Sequence, residues 1–245
     1  MQSSPLTVAI DGPSGSGKSS VSKAVARELG VGYLDTGAMY RALAWHCLEA
    51  GLDLTDQDAV AEAARDLPLE MPTDPDDQSL AVGGTDITSA IREPRVTEQV
   101  SAVATNLDVR AELRRRQREI IGAQREASGG IVAEGRDITT VVAPDAEHRI
   151  LITASEEARL ARRSTELHGG ADARQVAATR DQVVRRDQQD STVSAFMEAA
   201  DGVVTLDTSD LTFEEVVAAV LALVQGEVTP RHEADAPHTP DIDAP

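Results

Sequence analysis

A chain of 245 residues with one cysteine is long enough for a full hydrophobic core and cannot form an intrachain disulfide. Its formal net charge of −19 opposes nucleic-acid binding as the main role, because phosphate backbones require a basic footprint. No apolar run approaches the ~18 residues of a membrane span, and Met1-Gln2-Ser3-Ser4-Pro5 lacks the basic and apolar regions of a signal peptide, so a cytoplasmic protein is expected. Aromatic residues make up 2% of the chain, which leaves Val, Leu, Ile and Ala to build the core.

The first element is a strand, Leu6–Ile10, followed by a glycine loop and a helix over Gly17–Leu29 with apolar residues at Val21, Ala24, Val25 and Leu29. The loop, Gly12-Pro13-Ser14-Gly15-Ser16-Gly17-Lys18-Ser19, matches the phosphate-binding pattern G-x-x-x-x-G-K-[ST] without a mismatch. Glycines let backbone N–H groups curl round a phosphate, and the helix N-terminus adds its positive dipole end. Lys18 is placed to reach the β- and γ-phosphates, and the Ser19 hydroxyl to ligate Mg²⁺; Ser20 completes the ATP-binding stretch. Lys18 and Lys23 are the only lysines in the chain.

A second strand, Gly32–Leu34, runs into Asp35-Thr36-Gly37-Ala38-Met39-Tyr40-Arg41 and a helix over Ala38–Ala50. Thr36 is a candidate helix cap, and Arg41 is placed to face a second phosphate. Residues 67–97 are rich in Pro, Asp and Gly, with β-like pieces at Leu80–Val82 and Asp86–Thr88, and read as an inserted subdomain. A helix over Asp108–Ala127 carries Arg110, Arg114, Arg115, Arg116 and Arg118, of which most should be solvated because a helix has several faces.

The strand Gly130–Ala133 ends in Glu134-Gly135-Arg136-Asp137. An apolar strand ending in an acid is the second signature of phosphate-loop folds, which makes Glu134 the candidate for holding Mg²⁺. Arg136 can fork onto a phosphate, and Asp137 can accept from the amino group of a base. Strands over Arg149–Thr153 and Gly202–Leu206 follow, with helices over Ser155–Leu167, Ala173–Gln189 and Thr212–Gln225. Residues 159–194, with Arg159, Arg162, Arg163, Arg185 and Arg186, read as a helical lid that brings positive charge over a transferring phosphoryl group. The fold class is α/β: a five-stranded parallel sheet in one domain over residues 1–226, with a disordered acidic, proline-rich tail over 227–245. The five histidines fit no zinc spacing.

From about residue 5 to residue 225 the chain closely resembles the bacterial cytidylate kinases, nucleoside-monophosphate kinases of the phosphate-loop class. The resemblance rests on Ile10–Lys18, Leu34–Arg41, Val109-Arg110 through Arg118, Glu134–Asp137, and Arg186-Asp187 with Asp190-Ser191. It implies Mg·ATP-dependent phosphorylation of CMP and dCMP, with an inserted monophosphate-binding subdomain and a lid; a monomer is expected. Arg41 and Arg136 would hold the CMP phosphate. Ser101, Arg110 and Asp137 would read the cytosine edge. Thr36, Tyr40 and Asp190 would lie at the nucleotide, and Arg186 would contact phosphate with Lys18 and Arg136. The chain departs from the family at Asp190-Ser191-Thr192-Val193-Ser194, where an arginine is expected after the serine and the segment is about two residues short. Arg180 and Arg185 are the candidates to replace it. A GTPase is excluded, because its Asn-Lys-x-Asp motif cannot be built when Asn106 is the only asparagine and no lysine follows Lys23. A shikimate-type kinase and a non-catalytic nucleotide-binding regulator are the rival readings.

Overall fold

The computed structural model describes residues 5–170 and 173–226. Five parallel strands form the central sheet: β1 (Leu6–Asp11), β2 (Gly32–Asp35), β6 (Gly130–Gly135), β7 (His148–Thr153) and β8 (Val204–Asp207), in the order β2-β6-β1-β7-β8. All five lie where the sequence places strands. Both faces of the sheet are covered, which is why the strands read as unbroken apolar runs. Alternate residues serve opposite cores. Val8, Ile10, Val132, Ile150 and Ile152 pack under α1 (Lys18–Leu29) and α9 (Phe213–Gln225). Ala9, Leu34, Ile131 and Ala133 pack under α2 (Thr36–Glu49) and α6 (Leu107–Ser128). Cys47 is fully buried on α2, and burial pushes its thiol up to about 11.

Three helices were not expected: α3 (Gln57–Asp66), α4 (Pro94–Thr97) and α5 (Val100–Ala104). Helix α3 buries only Val60, Ala61 and Ala64, so its apolar stripe is too slight to stand out, although Asp56 caps it through the Ala59 amide. Helix α4 begins on Pro94, a residue tolerated at the first helical position because its missing N–H is unpaired there anyway.

Within 67–97, three two-residue strands, β3 (Leu69–Glu70), β4 (Ala81–Val82) and β5 (Thr85–Asp86), form an antiparallel sheet. After β6 the chain makes one wide π-type turn, Ile138–Val142, pinned by Asp11. The buried Asp11 carboxylate accepts from the Ile138 and Thr139 amides at 3.0 and 2.8 Å and from Thr139 Oγ1 at 2.6 Å. Helices α7 (Glu156–His168) and α8 (Ala173–Ser191) pack against each other and carry the arginine-rich segment. Residues Met1 to Ser4 and the tail expected over 227–245 lie outside the described residues. Among the described residues no helix is long and apolar enough to cross a membrane.

Candidate active site

Strands β1 and β6 are direct neighbours in register, Ile10 beside Glu134 and Asp11 beside Gly135. Their carboxyl ends therefore deliver the phosphate loop and the Glu134–Asp137 segment to one place. A cleft of about 350 Å³ opens there, lined by Lys18, Ser19, Arg41, Glu134, Arg136 and Arg186 among others.

The loop between β1 and α1 needs its glycines. Gly15 has φ +76°, and a Cβ there would meet the Arg159 carbonyl oxygen at 2.4 Å. Helix α1 starts without a side-chain cap and without an acid in its first turn, which leaves its N-terminal amides suited to an anion. Gly12, Pro13, Ser14 and Ser16 are buried in the loop, while Ser20 is exposed.

Glu134 is 2% exposed and sits at the floor of the cleft. Ser19 Oγ donates to its Oε1 at 2.6 Å, and Lys18 Nζ stands 3.9 Å from Oε2. Burial, and then the nearby Asp35 charge, push the Glu134 carboxyl up to about 7. Burial also pushes the Lys18 ammonium down from its ordinary value. A hydroxyl beside buried carboxylate oxygens is an oxygen-only donor set of the kind a hard divalent cation takes. Ser19 and Glu134 therefore fit Mg²⁺. Thr36 does not cap α2, contrary to expectation. Asp35 does, accepting from the Ala38 amide at 2.9 Å, while Thr36 Oγ1 donates to the Glu134 carbonyl at 2.8 Å. That close crossing requires Gly135, where a Cβ would meet Thr36 Oγ1 at 2.5 Å.

The other half of the cleft is a set of buried ion pairs. Arg110 Nη2 donates to Asp137 Oδ2 at 2.7 Å and also to Ser194 Oγ; Arg114 Nη2 donates to the same Asp137 oxygen at 2.6 Å. Arg110 lies over the ring of Tyr40, whose hydroxyl is pushed up to about 12 by burial and then by Asp137. Arg41 Nη1 donates to Thr97 Oγ1 at 2.9 Å and to the Ile91 carbonyl at 3.2 Å. Ser101 Oγ donates to Asp190 Oδ1 at 3.4 Å. Arg136 stacks on Phe196 at 4.5 Å, pairs through Nη1 with Asp190 at 2.7 Å, and donates through Nη2 to Ser14 Oγ at 2.6 Å. Arg186 stands 3.7 Å from Asp190 and is pushed down to about 9 by burial and then by Arg41 and Arg136. A guanidinium does not surrender its proton in a protein, so that direction reflects burial beside like charges.

The expected solvation of the arginine helix holds at Arg115 and Arg118, which are exposed, and fails at Arg110, Arg114 and Arg116. Arg110 is buried, Arg116 donates to the Ala64, Arg65 and Leu67 carbonyls, and Arg118 donates to the Val141 and Val142 carbonyls. In the segment read as a lid, Arg159 is 7% exposed and bound to the phosphate loop, and Arg162 donates to Thr208. The two candidates to replace the missing arginine do not reach the cleft: Arg180 is exposed and pairs with Glu156 at 2.7 Å, and Arg185 is exposed. Sequence reasoning did not give a site role to Arg114, Asp187 or Phe196. Asp187 carried a signal, since it follows Arg186 and lies one turn before Asp190 on the same helix face.

Comparison with known proteins adds the lineage. The family model described as cytidylate kinase matches residues 8–226. A cytidylate kinase of Streptomyces avermitilis is 47% identical over 90% of this chain and 93% of its own. One of Cutibacterium acnes is 48% identical over 91% of this chain and 98% of its own. Among solved structures, shikimate kinase from Acinetobacter baumannii in complex with shikimate covers 92% of this chain and 96% of its own, at TM-score 0.40 and 14% identity. With a family model spanning nearly the whole chain and relatives at nearly half identity, the chain belongs to the cytidylate kinase family, and is a nucleoside-monophosphate kinase.

Proposed function

We propose that the protein transfers the γ-phosphoryl group of Mg·ATP to CMP and dCMP, giving CDP and dCDP. One observation supports this above the rest. A phosphate loop shares a cleft with six arginines, Arg41, Arg110, Arg136 and Arg186 among them, and with a buried carboxylate, Asp137, set against Arg110.

The attacking oxygen belongs to a phosphate already anionic at neutral pH, so no strong general base is required. Positioning and charge neutralisation then carry the chemistry. In this reading the loop from Gly12 to Ser20 takes the ATP phosphates, with Lys18 reaching the β- and γ-oxygens. Ser19 and Glu134 hold Mg²⁺, which when bound offsets the charge of those oxygens. Arg41 and Arg136 hold the acceptor phosphate, and Arg186 adds charge where the transferring group lies. The Arg136 Nη1 group lets go of Asp190 to do so, which releases Asp190 toward the ribose. Cytosine offers a 4-amino donor beside ring acceptors. A carboxylate beside a guanidinium, Asp137 beside Arg110, complements that edge and opposes the carbonyl of uracil. Thr36 and Tyr40 line the same acceptor half, and Ser101 stands behind it against Asp190. The 67–97 insert closes on the acceptor, and α7 and α8 serve as the lid. A lone cysteine unable to form an intrachain disulfide fits a cytoplasmic enzyme.

The test is ADP release with Mg·ATP against CMP, dCMP, UMP, AMP, GMP, dTMP and shikimate in parallel, with Lys18→Ala beside the native chain. Turnover confined to CMP and dCMP, lowered by about 10³-fold or more in the folded Lys18→Ala variant, is the expected result. Turnover on another acceptor overturns the base assignment, and an unchanged Lys18→Ala variant overturns the mechanism.

A further inference from the structure

The residue that ties the two halves of the cleft together is one with no part in the mechanism above. Asp187 lies on α8 and is 6% exposed. Its Oδ1 accepts from the Ser14 amide at 3.1 Å and stands 3.1 Å from Arg136 Nη2. Its Oδ2 accepts from Arg159 Nη1 at 2.5 Å, and that same nitrogen donates to the Ser14 carbonyl at 3.0 Å. Arg136 Nη2 claims the Ser14 hydroxyl at 2.6 Å. The N–H, C=O and Oγ of one phosphate-loop residue are thus all held, by groups that meet at a single carboxylate. Ser191 Oγ donates to the Asp187 carbonyl at 2.7 Å and fastens the last turn of α8 behind it.

We infer that Asp187 is a positioning residue for acceptor phosphorylation, acting through Arg136. The inference rests on the proposed CMP kinase activity. Arg136 has two anchors on α8, Asp190 through Nη1 and Asp187 through Nη2. Binding of the acceptor phosphate claims Nη1 and so breaks the first. Asp187 does not face the nucleotide in that arrangement. It keeps its grip on Nη2 while the phosphate is held, and fixes the plane of the guanidinium against the phosphate loop that presents the donor. A planar fork held at one nitrogen presents the other at a defined angle, which is what bidentate or in-line recognition of a phosphate needs. Because Arg159 and the Ser14 amide also hold the carboxylate, the anchor is rigid.

The experiment is a double-mutant cycle on kcat/KM for CMP with Asp187→Asn, Arg136→Ala and the double variant, and with KM for ATP measured alongside. Asp187→Asn keeps the size of the side chain and removes its charge. The expected result is a loss of roughly 10–100-fold in kcat/KM for CMP, KM for ATP within about threefold of native, and a double variant no worse than Arg136→Ala alone. Losses that multiply in the double variant, a native-like Asp187→Asn enzyme, or an effect confined to KM for ATP each overturn the proposal. If Asp187→Asn does not fold, Arg159→Gln removes the closest partner of the carboxylate and is carried through the same cycle, with the same non-additivity expected. Absence of CMP turnover in the native chain would instead overturn the kinase reading, so the two failures are distinct.

Discussion

Arg186 shows most directly how a single residue trades stability for function here. It is held near Arg41 and Arg136 with Asp190 3.7 Å away, and burial with those like charges pushes it down to about 9. The free protein carries that repulsion until anions enter the cleft. Arg186→Met, which keeps most of the apolar stem, is therefore expected to raise the melting temperature of the free protein by about 2–4 °C, roughly 1 kcal/mol at this size. The same variant should lower turnover by about 10²–10³-fold. Calorimetry and steady-state kinetics on one preparation check both signs, and a variant that is both less stable and less active removes the argument. Glu134 has a different signature. Its carboxyl is pushed up to about 7, so below that pH a proton competes with a bound cation for it. The apparent Mg²⁺ requirement at saturating nucleotide should rise about tenfold from pH 8 to pH 6, and high Mg²⁺ should restore the rate. A requirement that does not move with pH would take Glu134 out of cation binding.

At the level of elements, what the sequence disclosed and what it hid follow from the range of the interactions involved. Strands β1, β2, β6, β7 and β8 were legible because a sheet covered on both faces demands continuous apolar runs. The phosphate loop was legible because its spacing is local. The pairing of Arg110 with Asp137 across 27 positions was not, because nothing in a helix of arginines says which one faces the cleft. The same holds for Arg159, which read as a lid arginine and is buried against the loop. The side-chain caps Asp56, Asn106, Ser155 and Thr212 are local too, yet Thr36 and Asp35 compete for one helix start and only the packing of Glu134 against Thr36 decides it. The contact between the phosphate loop and α7 is where two elements depend on one glycine. Gly15→Ala places a methyl at positive φ and 2.4 Å from the Arg159 carbonyl, so the loop and α7 must part. We expect KM for ATP to rise at least about tenfold and the melting temperature to fall, measured by ATP titration and thermal unfolding. Native values for both would show that α7 does not rest on the loop.

For the molecule as a whole, charge is distributed against its own average. The net charge is −19, yet the cleft gathers Lys18, Lys23 and six arginines, Arg41, Arg92, Arg110, Arg136, Arg163 and Arg186, along its lining. If the local field governs encounter, added salt screens attraction and kcat/KM for CMP falls with ionic strength; if the global charge governs, it rises. We expect a fall of several-fold between roughly 20 and 200 mM salt, checked by rates at constant free Mg²⁺. Finally, the lone Cys47 lies fully buried on the helix that also bears Tyr40 and Arg41. With its thiol pushed up to about 11, it is inert to a soluble thiol reagent while α2 stays docked. The chain therefore contains its own stopwatch for the opening of its acceptor half: the labelling rate of one native atom counts how often that helix leaves the core, without any probe having been introduced.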